Sequence, residues 1–186
     1  MKELNKNIKR AYSISEYDKN WIAQFLVIKE FLSTVFRDRA LQIEHVGSTS
    51  VEGMQAKPLI DVLVTVEKIE NFEKQKVEMI KAGYEWGENY IEPNSLIFFK
   101  TGPDGEKLEN IHICEKGSPK SIQFIQTRDY LRTHPARAIE YGNLKQVLKE
   151  KYPDDYPAYR AGKQSFVDET ERLTYEWVSK GSGGHI

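Results

Sequence analysis

A carboxylate inside an apolar run is the first chemistry this chain offers. Leu59 to Val66 reads Leu-Ile-Asp-Val-Leu-Val-Thr-Val, and Asp61 is its one charge. An ionised carboxylate is costly to bury unless a metal ion, a cationic side chain or a bound phosphate ester pairs with it. Just upstream, Ile43 to Val46 leads into Gly47-Ser48-Thr49-Ser50. A glycine after a strand lets the backbone turn sharply and brings a ligand close to main-chain N–H groups. A helix opening at Ser48 or Thr49 would favour an anion by about 0.3–1 kcal/mol, and the three hydroxyls add donors. Such a turn beside an inward carboxylate sets phosphate donors next to a ligand for a hard cation, which often bridges carboxylate to substrate phosphate. The structural alternative pairs Asp61 with Lys57 or Arg128.

Two histidines could join this site. His45 lies two residues before Gly47, and His112 belongs to Asn110-Ile111-His112-Ile113. Either can act as metal ligand or general base. With Ile111 and Ile113 facing the core, strand alternation sends Asn110 and His112 to the opposite face and Glu109 away from His112. If His45, Asp61 and His112 converge they form a metal site, and imidazole suits zinc or manganese better than magnesium. The bland reading of His45 is a buried histidine hydrogen-bonded to backbone. Lys57, directly before Pro58 and the Asp61 strand, is placed to meet a phosphate. Arg128 and Arg132 stand four apart on one helix face, and a guanidinium fork suits carboxylate or phosphate. Lys145 and Lys163 are further cations, and Tyr152, Tyr156 and Tyr159 are expected to pack the helical half.

The elements that must hold these residues are legible from periodicity. Asp18 is placed to cap a helix whose apolar stripe is Trp21, Phe25, Ile28, Leu32 and Val35, ending near Arg37. Strands are expected at 40–46, 59–66, 84–86, 96–100 and 108–114, the last two joined as a hairpin by Gly102-Pro103-Asp104-Gly105. Ile69 to Ala82 reads as a helix stopped by Gly83. Beyond Ser118-Pro119 the pattern is helical: 122–131, a helix opened by Pro135, a break at KYPDDYPAY, and a last helix over 159–178. The fold class is α/β (α+β), a mixed sheet with a C-terminal helical region. We read residues 1–178 as one domain, with a core at about 17–117, a helical region at about 118–178 and a flexible tail over 179–186.

Composition narrows the function classes. The chain has 186 residues, 39% of them apolar and 30% charged, with a formal net charge of −1. That balance suits a globular fold with no global field towards nucleic acid or anionic membrane. A single cysteine, Cys114, rules out an intramolecular disulfide and suits a cytoplasmic location. The first residues carry charge without an apolar stretch, unlike a secretory signal, and no run reaches the length of a membrane span.

The segment IEHVGSTSVEGMQAKPLIDVLV closely resembles the signature of the GrpB-like family in the nucleotidyltransferase superfamily. The likeness continues through NIHIC, QTRDYLRTHP, YGNLKQVLKEKYPDDYPAY and GKQSF, from Tyr17 to about Glu171. It implies a nucleotidyltransferase-like core with an appended helical region. In active members of the superfamily the Gly-Ser turn cradles nucleotide phosphates, paired carboxylates on the next strand hold two magnesium ions, and a later strand adds a third. Carried over, Gly47 and Ser48 match the turn and Asp61 the first carboxylate, whereas Leu63 stands at the second position and His112 near the third. The expected activity is therefore binding of a nucleotide or other phosphorylated small molecule, with Gly47, Ser48, Thr49, Lys57 and Arg128 on phosphate. Asp61 and His112 would be catalytic and, with His45, would ligate a divalent metal (magnesium, manganese or zinc). The alternatives are a non-catalytic binding or regulatory module and a transition-metal hydrolase. Fusion of some relatives to dephospho-coenzyme A kinase domains implies a kinase partner.

Overall fold

The computed structural model describes residues 12–88, 91 and 93–181. The first helix, α1 (Asn20–Phe36), forms as its periodicity demands: Trp21, Phe25, Ile28, Leu32 and Val35 are all buried. The Asp18 carboxylate accepts a hydrogen bond from the Asn20 N–H at 2.9 Å, meeting one of the donors a helix start leaves open.

Five strands follow: β1 (Gln42–Val46), β2 (Ile60–Val66), β3 (Glu85–Glu88), β4 (Ser95–Thr101) and β5 (Lys107–Glu115). They form one mixed sheet in the order β1-β2-β5-β4-β3, in which β2 and β5 run parallel and every other pair antiparallel. The β4–β5 hairpin and its turn are as the sequence predicts. One face carries Ile43, Ile60, Val62, Val64, Phe98, Ile111 and Ile113 against α1 and the Met79 side of α2 (Glu73–Lys81). The other carries Val46, Leu63 and Cys114 against Phe124 and Ile125. Burial on both faces explains why β2 reads as a nearly unbroken apolar run, with Asp61 at its beginning.

Phe124 and Ile125 belong to α3 (Pro119–Thr133), followed by α4 (Pro135–Lys151), α5 (Tyr156–Gly162) and α6 (Gln164–Ser179). Pro119, Pro135 and Pro157 all sit in first turns, where a missing N–H costs nothing. Ser118 and Asp155 cap α3 and α5 by accepting from the Ser121 and Ala158 N–H groups at 3.2 and 2.9 Å.

Several elements depart from expectation, among them α3, which starts at Pro119 rather than Ile122. Helix α2 starts at Glu73, not Ile69: Asn71 has φ +55°, which interrupts a right-handed helix, and its carbonyl accepts from Arg39 Nη1 at 2.7 Å. The strand before Gly47 starts at Gln42 rather than Ala40. The last helix is not continuous over 159–178 but breaks at Lys163 into α5 and α6. At that break α5 lies so close to α4 that a Cβ on Gly162 would come within 2.5 Å of Leu148 Cδ2. The N-terminal stretch 1–11 and the tail beyond 181 lie outside the described residues, while Ser179 still belongs to α6. No helix among the described residues is long and apolar enough to cross a membrane.

The α1 stripe carries the sheet's larger core. Leu32→Ala, at a fully buried position, should cost about 2–5 kcal/mol in a urea titration; a loss below about 0.5 kcal/mol, typical of exposed sites, would contradict this packing.

Candidate functional site

The site begins where β1 ends. Register pairs Val46 with Asp61 across β1 and β2, so Gly47 emerges against the Asp61 side chain. Gly47 has φ +69°, and a Cβ there would lie 2.7 Å from Asp61 Oδ2. Conformation and space both require glycine. On the other side, register pairs Asp61 with Asn110 and Leu63 with His112 across β2 and β5. Asn110 Nδ2 donates to Asp61 Oδ1 at 2.9 Å, and His112 Nε2 lies 3.3 Å from the same oxygen. The side chains of Asp61 and His112 are 22% and 7% exposed, and the imidazole packs on Phe124 with ring centres 4.8 Å apart. An ionised carboxylate can only accept, so the His112 proton belongs on Nε2. The His112 Nδ1 is buried, and neither it nor Asn110 Oδ1 has a hydrogen-bond partner among the described residues. As alternation predicts, Glu109 faces the opposite way and accepts from the Tyr84 hydroxyl.

Several expected ligands are placed elsewhere. His45 does not converge on Asp61 and His112: it sits on the α1 face, stacked on Phe25 at 4.8 Å. Its Nε2 donates to Thr49 Oγ1 at 3.0 Å, and Thr49 in turn donates to the Leu59 carbonyl at 3.0 Å. Thr49, 1% exposed, is therefore a structural link rather than a phosphate donor. Burial pushes the His45 pKa down to about 4; Asp61 opposes this, and Arg132 and Arg128 add to it. Arg128 is likewise committed to structure. Its Nη1 donates to Glu44 at 2.7 Å and to the His45 carbonyl at 3.2 Å, and its Nε donates to Asp129 at 2.8 Å. Arg132 donates from Nε and Nη2 to the Ser50 carbonyl at 3.0 and 2.9 Å. Together the arginines fasten the Gly-Ser turn to α3. That turn is a three-residue 3-10 segment, Ser48–Ser50, too short to bring a helix dipole to a phosphate.

Leu63, at the second-carboxylate position, is fully buried with Val46, Cys114, Phe124 and Ile125, so the core occupies the place of a ligand. Among the described residues no group of three His, Cys, Asp or Glu side chains could hold a metal ion. The donor set fits neither a two-metal centre nor the His45-Asp61-His112 hydrolase site.

Cations gather on the helical side instead, and Lys163 among them interacts with Asp61. Helix α4 lies close enough to the loop before Lys57 that a Cβ on Gly142 would be 3.1 Å from Gln55 Cβ. One turn along α4, Lys145 is 3% exposed, and its Nζ has no hydrogen-bond partner among the described residues. It stands 4.6 Å from the centre of the Tyr141 ring. Lys163, beside Gly162, stands 4.7 Å from the Tyr159 ring, and Lys57 stands 5.9 Å from Tyr156. Burial, reinforced by Lys163, pushes the Lys145 ammonium down to about 7. Burial and then Arg160 push Lys163 to about 8; Asp61 opposes this and Lys57 adds to it. Gly47 and Ser48 on the sheet side and Lys120, Phe124, Arg128, Tyr141 and Phe166 on the helical side line a crevice of about 270 Å³, which Lys145 adjoins through its contact with the Tyr141 ring. Tyr141 escaped the sequence reading, although its spacing of four from Lys145 on α4 is a signal that could have found it. Asn110 was placed on the pocket face but not recognised as the Asp61 donor.

A sequence model of the family described as GrpB protein matches residues 11–172. The UPF0157 protein YqkA of Bacillus subtilis is 35% identical over 170 residues, covering 91% of this chain and 49% of that protein. This chain thus spans about half of that relative's length. The glutamate-rich protein GrpB of Alkalihalophilus pseudofirmus is 35% identical over 82% of this chain and 90% of its own. Among solved structures, conserved protein GrpB from Enterococcus faecalis superposes with a TM-score of 0.82 at 32% identity, covering 88% of this chain and 98% of that one. More distantly, a dephospho-CoA kinase of Mycolicibacterium paratuberculosis is 26% identical over 87% of this chain and 45% of the kinase.

Two outcomes test this geometry. Restoring a carboxylate with Leu63→Asp should destabilise the fold by roughly 3–5 kcal/mol in urea, because an unpaired charge is buried; a stable variant that takes up stoichiometric magnesium would contradict the packing. His45 takes up a proton near 6.5 when unfolded but only near 4 when folded. Between those values the unfolded chain binds more protons, so stability should fall as pH drops through the window. Thermal melts of His45→Gln should show a shallower fall; an unchanged slope would place the titration elsewhere.

Proposed function

The chain belongs to the GrpB family, and on that premise we propose that it is a binding module for a phosphorylated small molecule. The ligand lies in the crevice between the Asp61 face of the sheet and the helical half. One juxtaposition carries this reading: a polar group of Asp61, Asn110 and His112 on an otherwise apolar face, with Lys163 interacting with Asp61 and Lys57 and Lys145 each interacting with Lys163. Asn110 and His112 hold one carboxylate oxygen, so Asp61 is fixed to accept a ligand hydroxyl. Gly47 and Ser48 form the near wall, where the missing Cβ admits a close approach. Charge supports the assignment. A two-metal transferase brings cations to phosphate through paired carboxylates. Here lysines stand on the helical side of the one carboxylate, so Lys145 and Lys163 can meet a phosphate without a metal. A nucleotide fits these requirements, and the partial similarity to a protein named dephospho-CoA kinase supports placing dephospho-coenzyme A among the first compounds tried.

Thermal shift in EDTA against nucleotides, dephospho-coenzyme A and sugar phosphates tests the proposal. A ligand near 100 times its Kd should stabilise the protein by about 2.7 kcal/mol, and its dephosphorylated counterpart should stabilise it much less. Asp61→Asn should fold normally yet bind about tenfold more weakly, a loss of about 1.4 kcal/mol. A panel in which nothing phosphorylated stabilises the metal-free protein, or an Asp61→Asn variant that binds as tightly as the parent, would overturn the reading.

A further inference from the structure

A buried ammonium without an acceptor is expensive, and native proteins keep one where something absent from the bare chain completes it. Lys145 is such a group. Its surroundings are fixed by two close approaches of α4, to Gln55 through Gly142 and to Gly162 through Leu148, three residues beyond Lys145. The second approach brings in Lys163, next to Gly162. The groups that face this pair are Tyr141 from α4, Tyr156, Tyr159 and Arg160 from α5, Lys57 from the loop before β2, and Asp61 from the sheet. Tyrosine faces attract ammonium ions through their ring quadrupoles but do not take the place of oxygen acceptors for the N–H donors. Asp61 is the one carboxylate in that set, and Asn110 and His112 already engage its Oδ1.

Resting on the reading of the crevice as a site for phosphorylated ligands, we propose that Lys145 and Lys163 form a two-point clamp for a doubly charged phosphate. The clamp takes the terminal group of a phosphate monoester or a pyrophosphate, while Asp61 faces the uncharged, hydroxyl-bearing part of the same molecule. Two ammonium groups supply up to six N–H donors, and the phosphate oxygens supply the acceptors that Lys145 lacks. A dianion can satisfy both lysines at once; a monocarboxylate such as acetate cannot match that charge. Because burial and neighbouring cations (Lys163 for Lys145, Arg160 and Lys57 for Lys163) depress the pKa values of the empty pair to about 7 and about 8, loading a dianion draws protons from solvent.

Calorimetric titration of pyrophosphate into the metal-free protein tests the clamp, with Lys145→Met and Lys163→Met alongside. Methionine keeps much of the lysine stem's length and removes the charge. Without pyrophosphate, Lys145→Met should melt no lower than the parent. Its advantage should be greatest below about pH 7 and shrink towards 10.5, since folding depresses this lysine's pKa between those values and the parent gains stability as pH rises through them. Each variant should lose about tenfold or more in pyrophosphate affinity. The parent, titrated near pH 8 in buffers of different ionisation enthalpy, should take up protons on binding. Acetate should bind far more weakly than pyrophosphate. Should Lys145→Met fail to fold, the half-buried Lys163→Met carries the test. Pyrophosphate binding within about twofold of the parent in the folded variants, or binding without proton uptake, would overturn the clamp. If a phosphorylated ligand still binds the parent in that case, the broader reading stands. A parent that binds neither pyrophosphate nor any phosphorylated compound overturns both.

Discussion

The approach of Gly47 to the Asp61 carboxylate sets much of what surrounds it. A side chain at position 47 would collide with Asp61 Oδ2, and the backbone there has a φ that L residues rarely adopt. Because β1 ends flush against this carboxylate, the Ser48–Ser50 turn leaves the sheet beside it and not over it. Arg132 holds that turn by the Ser50 carbonyl, and Arg128 joins β1 to α3 through Glu44 and the His45 carbonyl. Helix α3, so placed, lays Phe124 on His112. One tight contact between neighbouring strands thus lies beside the turn that the α3 arginines hold.

The charge pattern inverts the one that the nucleotidyltransferase resemblance implies. There, carboxylates gather metal ions and the metals meet the phosphate. Here Leu63 closes the second carboxylate position with a core side chain, and the positive charge arrives on lysines from the helical half. Buried ammonium groups are poor stabilisers, since desolvation outweighs what tyrosine rings return. On the proposed reading they are a binding feature, held at a cost in stability that a bound anion would remove.

Much of the fold was legible in the sequence because it rests on local periodicity. The Trp21-to-Val35 stripe, the apolar β2 and the Gly102–Gly105 hairpin follow from spacing and turn chemistry alone. What failed was decided by contacts between distant segments. Arg39 holds the Asn71 carbonyl where a positive φ interrupts the helix, and the approach of Gly162 to Leu148 accompanies a break in an otherwise continuous helical pattern. In the site, strand alternation correctly paired Asn110 with His112 and separated Glu109. The same rule, applied to Gly47 and Asp61, would have sent His45 to the other face, since one residue of register reverses a side chain. Arginine roles were not legible: a guanidinium suits a phosphate and a Glu44–Asp129 pair equally well until the partners are in place.

The claim on which the account stands is that ammonium groups, not metal ions, meet the ligand's phosphate. Pyrophosphate titrated into the protein calorimetrically, first in EDTA and then with excess magnesium, tests it most directly. The account predicts binding in EDTA, and weaker binding once magnesium competes for the same oxygens. Binding that appears only when magnesium is added would contradict it and return Asp61 to the role of a metal ligand.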